Sequence, residues 1–463
     1  MMAPNFPPGP KGLPFFGSTF EIRRDPLAFF IRLEREYGPI AGVRLPHFDM
    51  VFASRAASVR HVLIENAGNF TNREAYFQLV PLLGDGLLTI DGAYHKQQRR
   101  LVMPAFHRQR VENYAEIMIS DALDMLHRWQ PGQQVDLASE LQWLTLRIVA
   151  KALFNVDLGA ENSELSRAFI ATADYLNKAN FIDFGNLDLP FTAYGKFKRG
   201  KAVLDATVYR IIQGHRLAAH DSGDMLSMLF KAKDEDGSSL TDQQIHDETL
   251  TFLAAGHATT ANALTWTFYL LSQHPEACQK LLDEVWGVVG VDRPPLAADL
   301  ERMPYLEWVV KESLRLYPPA WTVLRRASSE FELEGYHLPA GTFVALSQYV
   351  THRLPQYWSE PERFWPERFA PEHAEPREAF AYFPFGAGPR TCIGMPFAML
   401  EARLLLAAIL QRFTPHLAPG ARVVAQPLVT LRPLYGLPVV LERSIPISSR
   451  RSEVNRPAAN DRD

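Results

Sequence analysis

Apolar residues recur at helical spacing through most of this chain, and departures from that period are short. Between Arg110 and Gly237 amphipathic runs cover Val111 to Trp129, Leu141 to Phe154 and Ser163 to Leu176, each predicting a helix with one buried face. Glu248 to Ser272 is apolar almost all round, which predicts a buried central helix. Its stretch Leu250 to Leu271 is long enough for a membrane span but carries His257, Asn262 and small or polar neighbours. Period-two alternation is confined to Pro39 to Val51, read as a hairpin near a sheet edge, and to Pro319 to Leu324, His337 to Ala345 and Val439 to Arg443. The loop Ala67 to Ile90 holds Tyr76, Phe77, Leu82, Leu83, Leu87 and Leu88, and a loop so apolar is expected to cover something apolar.

Near the C-terminal end, Phe383-Pro384-Phe385-Gly386-Ala387-Gly388-Pro389-Arg390-Thr391-Cys392-Ile393-Gly394-Met395 leads into the helix-forming run Pro396 to Leu410. Backbone N–H groups at a helix start favour an anion, so Cys392 is placed to be a thiolate that binds a soft metal or attacks an electrophile. A plain buried cysteine in a turn is the other reading. Gly388 and Gly394 let backbone approach the sulfur, Arg390 offers a cationic fork for carboxylates, and Phe385 supplies an aromatic wall. The pattern Phe385-x-x-Gly388-x-Arg390-x-Cys392-x-Gly394 resembles the cysteine-ligand loop of the cytochrome P450 superfamily, in which the thiolate is the proximal ligand of a haem iron.

That resemblance runs from the proline-rich lead, Pro7 to Pro14, to about Arg443, and it implies roles for further residues. His95 and Arg99 share one face of the helix begun at Asp91 and match the family's pair at a haem propionate, with a solvated helix face as the alternative. Arg325 and Arg390 complete the propionate set. Ala254 to Thr260 resembles the family's oxygen-binding groove, where a threonine bonds back one turn and a local bulge is expected. Thr259 would then support proton delivery. The acid that usually precedes this threonine is Ala258 here, which leaves Thr259, water and His257 as the relay; a satisfied helix histidine is the other reading of His257. Glu312 and Arg315, with Arg368 in Pro366-Glu367-Arg368-Phe369, resemble the family's buried ion network behind the cysteine loop. The substrate pocket is expected to be lined by Tyr76, Phe77, Leu82, Leu87, Ala255, Pro319, Thr322 and Val323, and residues 168–202 resemble the mobile helices above it, a plain helical core being the alternative.

The 463 residues allow about three domains by length alone. Residues that must meet at one haem are spread from His95 to Cys392, so a single domain over 1–447 is expected, with 1–18 as its lead and a disordered polar tail at 448–463. The resemblance implies a cytochrome P450 fold, mainly α, a helical triangular prism with a small β-rich subdomain. A net charge of -4 argues against a nucleic-acid partner. Two cysteines, Cys278 and Cys392, form no disulfide framework if one binds metal, and the N-terminus shows neither signal peptide nor transmembrane anchor; a soluble, bacterial-type, cytoplasmic monomer is expected.

The function implied is a monooxygenase that uses haem b to place one oxygen atom from O2 on a hydrophobic small molecule such as a fatty acid, terpenoid or steroid. No Gly-rich phosphate loop or flavin domain is legible. Electrons are therefore expected from a separate ferredoxin or flavodoxin and its NAD(P)H-dependent reductase, with Lys96, Arg100, Arg108 and Arg110 as a basic docking face or as ordinary solvated charge. Rival readings are a haem-thiolate isomerase, dehydratase or peroxide-driven enzyme, which Ala258 favours, and a non-catalytic haem sensor. Zinc would need several clustered ligands, and Cys392 has none nearby in sequence.

Overall fold

The hairpin is the first regular piece of sheet. In a computed structural model that describes residues 6–158, 163–178, 188–189, 191–217, 224–233, 237, 239–373 and 378–444, strands β1 (Ile40–Arg44) and β2 (Asp49–Ala53) pair antiparallel in the register Gly42 to Val51. They belong to a five-stranded sheet with β3 (Phe70–Thr71), β4 (Val323–Ala327) and β5 (Phe343–Leu346), in the order β1-β2-β5-β4-β3. The hairpin thus sits at a sheet edge, as its pattern predicts. The strand expected over Pro319 to Leu324 begins only at Val323, because consecutive prolines at 318 and 319 cannot donate to a ladder. Smaller sheets hold Tyr336–Leu338 and Pro438–Arg443.

Helices dominate the rest. They include α1 (Gly92–Val102), α2 (Ala115–His127), α3 (Leu137–Phe154), α4 (Ser163–Lys178), α5 (Ala193–Leu217), α6 (Asp242–Gln273), α7 (Pro304–Leu316) and α8 (Met395–Arg412). Part of the 168–202 stretch, and the whole 448–463 tail, lie outside the described residues.

The central helix is α6. Thr241 starts it with a capping box closed by Gln244, and its 32 residues extend about 48 Å. It packs on α3, α5, α7 and α8, which explains why its sequence is apolar on every side. Among the described residues no helix is long and apolar enough to cross a membrane. One apolar cluster joins residues as distant as Leu79 and Leu441 around this helix. A second, under the sheet, packs Val51, Leu63 and Val344 against Phe383 and Ala387, so the sheet supports the loop that leads to Cys392.

Candidate active site

The cysteine loop is held by its own backbone. Cys392 N–H donates to Phe385 O at 2.9 Å, Thr391 N–H to Gly388 O at 3.0 Å, and Ala398 N–H to Gly394 O at 2.8 Å as α8 begins. Gly388 has φ +70°, and a Cβ there would collide with the carbonyl oxygen of Leu63. The Cys392 thiol is accessible in front of the loop, yet the surrounding protein is dense enough that burial raises its pKa. The N–H groups of Gly394 and Met395 and the Arg99 guanidinium oppose that rise. The helix start alone therefore does not ionise the sulfur, contrary to the expectation from sequence; a coordinated metal ion would remove the proton. Phe385 packs half-buried against the main core.

Four cationic or potentially cationic groups converge beside the loop. Arg99 Nη2 donates to Thr391 O at 2.8 Å, and Arg390 Nη2 donates to Ile90 O at 2.6 Å and to Asp91 Oδ1 at 2.5 Å. Arg325 is buried on β4, where Nη1 donates to Leu324 O at 2.8 Å. His95, buried on α1, has its pKa lowered to about 4 by burial and by the charges of Arg390, Arg99 and Arg325, so it is neutral at ordinary pH. Burial, with Arg325 and Arg99 adding repulsion, lowers Arg390 to about 10. Asp91 is the carboxylate among them, and it also accepts the N–H groups of Asn72 and Arg73 at 2.8 Å each. Three guanidinium groups with one carboxylate among them leave a positive surplus that would suit the two propionates of a haem, and the sulfur with its N–H donors would suit its iron as an anionic ligand. The residues fit that group.

On α6, Thr259 Oγ1 donates to Ala255 O at 2.8 Å, the back-bond expected, and Ala255 is exposed although it lies in the middle of a buried helix. The expected bulge is absent: α6 stays α-helical throughout. His257 does not join Thr259. Two residues apart on a helix, they project about 200° apart; His257 is buried, its Nδ1 bonds Leu253 O at 2.7 Å, and its ring lies 4.6 Å from Phe169 of α4. Burial lowers its pKa to about 4.

Of the expected pocket residues, Leu82, Leu87, Pro319 and Val323 are buried. Tyr76 is half-buried and its hydroxyl accepts the Leu324 N–H at 3.2 Å, while Thr322 Oγ1 donates to Leu346 O at 3.2 Å. Phe77 departs from the expectation: it is 50% exposed on the outer side of its loop, one residue out of phase with Tyr76.

Behind the loop, Arg315 meets Glu312 through two hydrogen bonds of 2.7 and 2.8 Å, and Arg368 Nε donates to Glu312 Oε1 at 2.9 Å, all three side chains being buried. The guanidinium of Arg315 also caps His352 O, and His352 Nε2 accepts the Phe383 N–H at 3.0 Å, linking the network to the cysteine loop. Sequence reasoning missed His352 and also Glu401, a wholly buried carboxyl on α8 beside Thr260. Burial raises the Glu401 pKa well above the usual carboxylate range. A charged residue in the apolar phase of α8 was the available signal.

A loop-borne cysteine beside a guanidinium cluster, together with a long central helix that exposes a small residue at its middle, defines a haem-thiolate protein. The chain belongs to the Cytochrome P450 family, whose sequence model matches residues 7–433, and its enzyme class is cytochrome P450 monooxygenase. It is 36% identical over 426 residues to cyclooctatin synthase of Streptomyces melanosporofaciens, covering 91% of this chain and 92% of that one. Cyclooctat-9-en-7-ol 5-monooxygenase of the same organism is 34% identical, with 89% and 90% covered, and pentalenene oxygenase of Streptomyces avermitilis is 31% identical, with 91% and 94% covered. Among solved structures, retinoic acid bound cyanobacterial CYP120A1 superposes with a TM-score of 0.86 at 29% identity, covering 95% of this chain and 99% of that one.

Proposed function

We propose that this chain, as a single haem domain over residues 1–447, oxidises a terpenoid-like hydrocarbon by hydroxylation or epoxidation. The observation that carries the reading is the placement of Cys392, flanked by N–H donors and Arg99, beside the cluster of His95, Arg325 and Arg390. Haem b would be held by Cys392 through its iron and by Arg99, Arg325, Arg390 and His95 through its propionates, and when bound it supplies the chemistry that splits O2 and oxidises an unactivated C–H bond. The terpenoid class is supported by relatives named for such substrates and by the apolar roof of Leu82 and Leu87.

The chain's own residues then have separate tasks. Thr259 holds a hydroxyl on the pocket face of α6 and orients proton supply there. Ala255 leaves space beside it. The buried leucines exclude water from the pocket. Lys96 and Arg100 line an outer groove of about 480 Å³ with His107, Met103 and Pro389, and this groove lies beside the propionate helix α1. We assign it as the docking face for a separate ferredoxin or flavodoxin served by an NAD(P)H-dependent reductase, in a cytoplasmic, monomeric protein. Arg108 contributes less, since Glu112 engages it at 2.8 Å.

The test is conversion of a cyclic terpene hydrocarbon by purified haem-loaded protein with NADPH and a surrogate ferredoxin system. An oxygenated product labelled from 18O2 supports the reading. Product formed with peroxide alone, and none with the electron-transfer system, would favour the peroxide-driven alternative that Ala258 suggests.

A further inference from the structure

His246, Asp247 and Glu248 follow one another near the start of α6, all three buried. Successive helical side chains leave about 100° apart, and these meet different segments. Asp247 Oδ2 accepts the N–H of Asp85 at 2.8 Å, and Glu248 Oε2 accepts the N–H of Leu87 at 3.2 Å. Adjacent carboxyl groups thus hold two N–H groups of the loop 84–90. The loop comes this close only because of its glycines: a Cβ on Gly84 would run into the Asp247 carboxyl, and one on Gly86 into the Thr251 hydroxyl. At its other end the loop is fastened by Arg390, which reaches Ile90 O at 2.6 Å and Leu87 O at 3.4 Å.

His246 faces the other way. Its Nε2 lies 3.2 Å from Asp205 Oδ1 of α5, its ring stacks on Tyr209 of α5 at 4.6 Å, and its Nδ1 bonds Asp247 Oδ1 at 3.0 Å. With a carboxylate near each nitrogen, the protonated ring is favoured beyond its ordinary tendency. Burial opposes this, but Asp205 and Asp247 outweigh it and hold the pKa above the ordinary histidine value.

We propose that His246, Asp247 and Glu248 form a latch that fastens loop 84–90 and helix α5 to the helix that bears Thr259, and so act as positioning residues for substrate selection. The proposal rests on the reading of Leu82 and Leu87 as pocket residues. It gives a task to three consecutive polar side chains that are buried near the start of the helix.

Charge around the latch makes it sensitive to alkali. Burial, reinforced by Asp247, pushes Glu248 up to about 8, so its carboxyl is neutral near neutral pH. The other ionisable groups facing the latch are Asp85, paired with Arg73; Asp205, paired with Lys201; Asp242, paired with Arg216; and Tyr94 and Tyr209, both with raised pKa values. Because the folded pKa of Glu248 lies above its unfolded value of 4.5, its contribution worsens as pH rises toward about 8. The stabilisation from protonated His246 fades in the same direction, as pH rises through its raised folded value. Both effects loosen the latch on the alkaline side.

Amide hydrogen exchange of the full-length haem-loaded protein, corrected for intrinsic rates, reads the latch without substrate or turnover, so its result stands apart from the proposed reaction. Glu248→Ala should speed exchange over 84–90 by about 10-fold. Glu248→Gln, which keeps an oxygen for the Leu87 N–H, should stay within about 2-fold of wild type near about pH 5 and lack the speed-up wild type shows as pH rises from there to about 9. His246→Gln should speed exchange over both 84–90 and 200–210. Wild-type protection of 84–90 in Glu248→Ala, or a His246→Gln effect confined to 200–210, would overturn the proposal. Should Glu248→Ala not fold, the pH comparison between wild type and Glu248→Gln decides.

Discussion

Thr259 and His257 stand two residues apart on α6 and face opposite ways, so one pair of substitutions separates chemistry from packing. Thr259→Ala should lower product formation by about 10-fold or more, with Thr259→Ser restoring most of it. His257→Gln should leave turnover within about 2-fold. The pH dependence of stability isolates the same histidine: its folded pKa of about 4 lies below the ordinary 6.5, so the unfolded chain takes up the proton first and stability is lost as pH falls from 6.5 toward 4. Chemical denaturation across that range should therefore show wild type losing stability relative to His257→Gln. Equal slopes would mean the ring is not buried neutral. Residue types at fixed spacing were legible here: Cys392, Arg390, Arg99 and Thr259 are identified by neighbours in sequence. His352 and Glu401 were not, because each acquires its meaning from a partner on another element, Phe383 in one case and Thr260 in the other.

Elements inherit this division. The helices were readable wherever one face is apolar, and α6 was readable because no face is polar. Phase within loops was not readable: Tyr76 turns in to meet β4 while Phe77 turns out, and nothing local distinguishes the two. The strand that starts at Val323 rather than Pro319 differs in this respect, since Pro318 and Pro319, which cannot donate to a ladder, were a local signal. Between elements, the Glu312, Arg315 and Arg368 network is buried and closed by hydrogen bonds to carbonyls of His352, Pro361, Arg363, Ser359 and Glu360. Removing one partner leaves an uncompensated buried charge, so Glu312→Ala should cost about 3–5 kcal/mol in urea unfolding and reduce haem retention. Arg368→Lys should be destabilising too, since an ammonium cannot span Glu312 and three carbonyls as a planar fork does.

At the scale of the whole molecule, residues scattered over most of the chain meet in one cluster, His95, Arg99, Arg325 and Arg390 beside Cys392. The outer groove by α1 is where electrons would arrive. Charge reversal of Lys96 and Arg100 should slow reduction by a ferredoxin and flatten its dependence on ionic strength, as measured by stopped flow; unchanged kinetics would place the docking face elsewhere. The identity of the reacting metal site is the claim on which the rest depends. It is tested by the absorption spectrum of the reduced, carbon monoxide-bound protein. Wild type should show the long-wavelength Soret band of thiolate-ligated haem, and Cys392→Ser should lose that band while keeping its fold. A wild-type spectrum without the band, or a Cys392→Ser protein that retains it, would contradict the assignment of Cys392 as the iron ligand.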